Sequence, residues 1–276
     1  MFSSIIFTSS LYRHKSTASM NITAVRTPIF KLYGDLVDFI VRAIPHVPEK
    51  SIIVVTSKIV ALAQGRVVPN TRGAKVRWIK KESSQHIKTK WCYLTLKDGH
   101  WCPNAGIDES NARGELILWP TASQAAAQKL HGDLRKHYGR RNLGVLFTDS
   151  RIFPLRAGVT GVALGYAGFK GLRSYIGKPD IFGRKLKLTR TNIADSLASA
   201  AVLVMGEGRE QQPLALVTDA PVEFTRVPQG KKKDEQLRID PRDDLYRPLF
   251  EGLTRKDKRP MPTTKQARST KRTSKK

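Results

Sequence analysis

A chain of 276 residues with 40% apolar side chains can bury one large core or two small ones, which excludes a wholly disordered protein. Lys and Arg number 49 against 23 Asp and Glu, a formal net charge of +26, and by charge alone the partner would be a polyanion such as nucleic acid. No apolar stretch reaches the roughly 18 residues of a spanning helix, the longest being the glycine-containing Ala157 to Phe169, so membrane insertion is excluded as well.

Before Asp35, the first acidic residue, the chain is rich in Ser and Thr and carries Arg13, His14, Lys15 and Arg26. We read residues 1–20 as a flexible extension, with a start at Met20 or an organelle transit peptide as alternatives. Leu36, Phe39, Ile40 and Ala43 recur at helical spacing, which predicts a helix over 35–43. Ser51 to Lys58, SIIVVTSK, is a continuous β-branched run with the pattern of a buried strand. Trp91 to Leu96 and the segment ending at Pro103 predict a hairpin joined through Asp98-Gly99. Its cysteines, Cys92 and Cys102, could be bridged, but with no other sign of secretion two buried thiols are the expectation.

Ser123 to His137 is Ala-rich and helical, and Gly144 to Thr148 is a short buried strand that delivers Asp149 and Ser150 into a loop. Thr191 to Met205 is a helix with Ile193, Leu197, Ala201 and Val204 on one face. Pro213 to Thr218 is a last strand before Pro221. Hairpins with interspersed helices and no internal repeat predict an α+β fold with mixed or antiparallel sheets, occupying residues 21–253. Beyond it, ten Lys and Arg between Thr254 and Lys276 face only Asp257. With almost no bulky apolar groups, residues 254–276 cannot offset their ordering entropy, so they read as a disordered basic tail with weak nonspecific polyanion binding.

Acids are scarce, which draws attention to three of them. Asp108 follows the Asn104-Ala105-Gly106 turn, Asp149 ends a strand, and Glu207 sits between Gly206 and Gly208 just past a helix. Oxygen ligands from separate loops suit a hard cation, Mg²⁺ or Mn²⁺, of the kind that bridges nucleotide phosphates. Singly, each acid reads as a turn-forming or capping group ahead of a metal ligand. Other signatures are missing: Gly171 to Pro179 has the wrong spacing for a P-loop, no GxGxxG follows a strand, and the six histidines form no HExxH.

Taken together, PNAGIDESN at 103–111, LGVLFTDSRIFPLRAGV from Leu143 onward and VMGEG at 204–208 resemble the gamma-glutamyl ligase family that attaches glutamate to the deazaflavin coenzyme F-420. The resemblance covers roughly Val25 to Val222, with the motifs in matching order. It implies a two-part α+β fold intertwined as a homodimer. It also implies a metal site of Asp108, Asp149, Ser150 and Glu207, with the three acids catalytic. Ser57, Lys58, Asn111, Met205, Gly206 and Gly208 fall on positions around a bound GTP, or ATP, since Leu62 stands where many members carry a Lys.

After the TDS triplet, Arg151 to Gly158 departs from the usual Gly-Arg pair and is similar to a branch described as folate-metabolism gamma-glutamate ligases. Arg151, Arg156, Arg173 and Arg184 are then candidates for holding substrate carboxylates. The expectation is a cytoplasmic nucleotide- and metal-dependent ligase joining L-glutamate to a cofactor tail, with folate slightly ahead of deazaflavin as acceptor and the F-420-0 ligase proper as the alternative. A nucleic-acid-binding protein without catalysis is the rival from another class, supported by charge alone.

Overall fold

The structure is a computed structural model that describes residues 19–226 and 237–254; most of the expected N-terminal extension and nearly all of the basic tail lie outside them. Its centre is a five-stranded mixed sheet in the order β1 (Asn21–Val25), β12 (Leu214–Thr218), β2 (Ser51–Thr56), β8 (Leu143–Arg151), β9 (Thr160–Ala167). Only β2 and β8 run parallel, with Thr56 opposite Thr148 at their carboxyl ends.

Alternation along β2 decides how the sheet is covered. Ile53 and Val55 point to one face and join Val145 and Phe147 of β8 under α1 (Leu36–Ala43), α2 (Ser57–Ala63) and α4 (Ser123–Tyr138). Ile52 and Val54 point to the other and join Leu146 under α5 (Ile193–Met205), which contributes Leu197, Ala198 and Ala201. The result is helix, sheet, helix, with a parallel pair buried on both sides. α1 starts where Asp35 accepts the Asp38 amide, and α5 where Asn192 accepts that of Asp195.

A second, smaller assembly lies between β2 and β8 in sequence. It comprises the ribbon β3 (Val67–Pro69) with β7 (Glu115–Ile117), the sheet β4 (Gln85–Lys88), β5 (Tyr93–Lys97), β6 (His100–Pro103), and α3 (Ala74–Glu82). Ile79, Ala105, Ile107, Leu116 and Leu118 form its core. The β5–β6 turn has the two left-handed residues, Asp98 and Gly99, that a two-residue hairpin needs. β10 (Leu172–Ser174) and β11 (Arg190–Asn192) form a separate ribbon, and the described chain ends in a short helical turn at Pro241–Asp243 and α6 (Arg247–Thr254).

The α+β expectation holds, with four corrections to its elements. β8 runs on through Arg151 by pairing with β9, so Asp149 and Ser150 lie in a strand rather than a loop. The run SIIVVTSK is a strand only to Thr56, and Ser57 and Lys58 open α2, because Ile59, Val60 and Ala61 are buried at helical spacing. Thr191 belongs to β11, before the Asn192 cap. Both cysteines are free thiols, but only Cys102 is buried.

Candidate active site

The parallel pairing of β2 and β8 leaves Ser57 and Asp149 side by side just past the last paired residues, and the Ser57 hydroxyl donates to Asp149 Oδ1 at 3.2 Å. Carboxyl ends of parallel strands are where open sheets place their ligands. The β8–β9 register shifts between Phe147 and Thr148, with Leu164 of β9 as the extra residue, just before the pair of Asp149 with Val162. The other carboxylate oxygen, Oδ2, accepts from the indole Nε1–H of Trp119. Trp119 is buried and fits only because Gly106 lacks a side chain: a Cβ there would stand 2.1 Å from Nε1.

Burial pushes the Asp149 carboxyl up to about 6, against the opposing hydrogen bonds from the Ser150 amide, Trp119 and Ser57, and the negative charge of Asp108 adds to the rise. Asp108 itself goes the other way. Burial alone would raise it, but Lys58 and the Ser110 hydrogen bonds together carry its carboxyl below the usual range. Lys58 Nζ lies 2.8 Å from Asp108 Oδ2 and also reaches the Ser110 carbonyl at 3.0 Å and hydroxyl at 3.1 Å, while the Ser110 amide donates to Asp108 Oδ1 at 2.6 Å.

The loop that presents Asp108 is held by unusual backbone. Asn104, Ala105 and Gly106 all have left-handed φ, and Asn111 does too. For the non-glycines this costs roughly 1–3 kcal/mol each. The cost is offset by hydrogen bonds from the Tyr93 amide to Asn104 Oδ1 and from the Ala105 amide to Thr95 Oγ1. Asn111 then donates across to the Gly208 carbonyl at 3.3 Å, joining this loop to the turn after α5.

In that turn Met205 is the buried last residue of α5, and Gly206 takes φ 80°, with the Glu210 side chain packed where a Cβ would be. The Gly208 amide is taken by Glu210 Oε2 at 2.7 Å. Glu207 projects to the surface and accepts from the Ser150 hydroxyl at 2.5 Å. Thus the candidate ligands fall into two groups, Asp108 near Asp149 and the Ser150 hydroxyl on Glu207. Among the described residues no three His, Cys, Asp or Glu side chains close into a ready-made metal cage. The donor chemistry, three carboxylates and hydroxyls, is nevertheless that of a hard cation.

Of the four arginines singled out in the sequence, Arg151 alone lies next to the acids, at the end of β8, with Nη2 buried and without a hydrogen-bond partner. Arg156 stands in the exposed β8–β9 connection. Arg173 in β10 donates to the Pro221 carbonyl, and Arg184 closes an exposed turn through its amide on Asp180. The structure therefore does not bring the arginines together. It does bring in Trp119, Ser110 and Glu210, which sequence reasoning missed; only the Trp in a proline-ended apolar run could have drawn notice.

A model of the family described as F420-0:Gamma-glutamyl ligase matches residues 24–219. The chain is similar to the coenzyme F420:L-glutamate ligase of Methanosarcina mazei, 33% identical over 61% of this chain and 74% of the relative. It is 28% identical to the protein of that name from Methanocaldococcus jannaschii over 84% of this chain and 99% of the relative. A third, from Archaeoglobus fulgidus, is 32% identical over 69% of this chain and 83% of the relative.

Proposed function

This chain belongs to the F420-0:Gamma-glutamyl ligase family, enzymes that form carbon–nitrogen bonds, and from that premise we propose that it joins L-glutamate to the carboxylate of a cofactor tail at the expense of a nucleoside triphosphate. The carboxylate oxygen takes the terminal phosphoryl group, and the nucleoside diphosphate leaves. The amine of glutamate then attacks the activated carbonyl, the C–N bond forms as the C–O bond to phosphate breaks, and the amine gives up a proton.

One observation carries this reading. Four contacts, Ser57 to Asp149, Lys58 to Asp108, Asn111 to Gly208 and Ser150 to Glu207, tie four separate stretches of chain at one place. Asp108, Asp149, Ser150 and Glu207 would hold Mg²⁺ or Mn²⁺, which supplies charge neutralisation for phosphoryl transfer. Ser57, Lys58, Asn111 and the Met205–Gly208 turn would face GTP or ATP. The protein's own part is positioning: Trp119 and Ser57 fix both oxygens of Asp149, and Lys58 is placed to move from Asp108 to a phosphate.

The family's description, with the relatives' names of coenzyme F420:L-glutamate ligase, favours F420-0 as acceptor. A folate monoglutamate is the second reading, supported by the sequence of Arg151 to Gly158, which departs from the deazaflavin pattern. A homodimer is part of the proposal, supported by the wide exposure of Leu155, Ile181, Phe182 and Leu188. The test is to incubate the protein with L-glutamate, Mg²⁺ or Mn²⁺, GTP or ATP, and either F420-0 or a reduced folate, and to look by mass for addition of one glutamyl unit. Product with F420-0 is the expected result; no product with any combination would overturn the ligase reading.

A further inference from the structure

Beside Trp119 lies a second group of polar side chains that the reaction scheme above does not use. The His100 ring packs edge-on against the Trp119 indole, with centroids 6.0 Å apart. Its Nδ1 lies 3.1 Å from the Asp98 carbonyl oxygen. Two guanidinium groups act on this imidazole, those of Arg151 and Arg238. Arg151 comes from the end of β8, two residues after Asp149. Arg238 comes from the far C-terminal segment and lies over the Asp98-Gly99 turn, its Cδ within 3.5 Å and its Nε within 3.8 Å of where a Gly99 Cβ would be.

The two cations are poorly matched by acids. Asp98 faces Arg238, and among the described residues Arg151 makes no ion pair, its buried Nη2 lacking a hydrogen-bond partner. A buried guanidinium N–H left unpaired costs free energy that an anion would recover. A guanidinium fork matches a carboxylate best. The neighbouring Lys97 does not fill this role, since it is already paired with Glu82.

We propose that Arg151 and Arg238, arranged about His100, form a carboxylate-binding subsite next to Asp149 that holds the acid end of a substrate. The inference rests on the ligase reading, which supplies two sources of such a carboxylate, L-glutamate and the acceptor tail. Arg238 lies beyond residues 24–219, the part of the chain that matches the family. The subsite is therefore completed by a segment beyond the span of the family model, and acceptor or glutamate selectivity is the property that this segment would tune.

The experiment is a comparison of full-length wild type, Arg238→Ala and Arg238→Lys, with KM measured separately for L-glutamate, F420-0 and the nucleotide, and with calorimetric titration of L-glutamate and of F420-0 in the absence of turnover. Loss of one charge-assisted contact should raise KM and weaken binding for one of the two acids by roughly tenfold or more. Nucleotide KM and kcat should stay within about twofold, and Arg238→Lys should recover part of the loss. Whichever acid responds identifies the occupant. Unchanged KM and unchanged binding for both acids would overturn the subsite. Absence of glutamyl product from wild type would instead refute the ligase reading, and the calorimetric arm would still test the subsite.

Discussion

Asp149 is the residue on which the site turns, because both its oxygens are fixed by neutral donors while Asp108 opposes its charge. Asp149→Asn keeps the shape and most of the hydrogen bonds but removes a charged ligand. Steady-state assays should show kcat lower by on the order of 10² or more with an unchanged circular dichroism spectrum; normal turnover would remove Asp149 from the metal site. Trp119 acts through Asp149 as a positioning residue. Trp119→Phe deletes the Nε1–H donor, and Gly106→Ala displaces the same indole while imposing a side chain at φ 69°. Each should lower kcat by about tenfold, and the double variant should be no worse than the poorer single one. Additive losses would mean that Gly106 matters for the loop and not for the indole. These contacts were not legible in the sequence, since residues 106, 119 and 149 meet only through the packing of the small assembly on the sheet.

At the scale of elements, β9 is the strand with least room. Its register to β8 slips between Phe147 and Thr148, so Gly161 and Gly165 face opposite sides of the sheet. A Cβ at Gly161 would come within 2.3 Å of the Ala198 carbonyl on α5, and one at Gly165 within 2.4 Å of the Ser123 carbonyl at the start of α4. Gly161→Ala should therefore cost about 1–3 kcal/mol in denaturant unfolding, the usual penalty of overpacking. The small assembly is held differently, by Glu82, which accepts from Arg66 at 2.6 Å and from the buried Lys97. Burial alone would raise the Glu82 carboxyl, but Lys97 and Arg66 outweigh it and hold it below its ordinary value of 4.5. A lowered acid contributes stability that is present above the unfolded value and is lost as pH falls through the folded one. Glu82→Gln should thus lower the unfolding free energy most at neutral pH, by about 3–5 kcal/mol because the buried Lys97 loses its partner, with the gap to wild type closing below pH 4.5. Equal stability of the two proteins at neutral pH would mean that the pair contributes little.

For the whole molecule, the densest run of positive charge and the chemistry separate in sequence, although most of the 49 Lys and Arg precede Thr254. The acids of the site lie within residues 24–219, whereas ten Lys and Arg crowd the last 23 residues between Thr254 and Lys276. Truncation after Leu253 should leave Tm and ligase rate unchanged and weaken salt-sensitive binding to a polyanion such as heparin. A fall in Tm would show that the tail belongs to the fold. Among the described residues no helix is long and apolar enough to cross a membrane.

Periodicity in the sequence determined the long elements, because the helical spacing of 35–43 and 123–137 and the β-branched run from Ser51 reflect local burial on a single face. The three acids stood out for a similar reason, each sitting at the end of an element in a chain poor in acids. Tertiary structure alone decided the rest. The parallel pairing of β2 with β8 set Ser57 against Asp149 across 92 positions of chain, and the short strands β3, β7, β10 and β11, three residues each, exist only because a partner satisfies their amides. The same holds for Arg151 and Arg238. The sequence offered Arg151 among four arginines and gave no sign of Arg238, and what sets the two apart is their approach to one imidazole and the unpartnered buried Nη2 of Arg151, properties of the space between segments that no stretch of sequence contains.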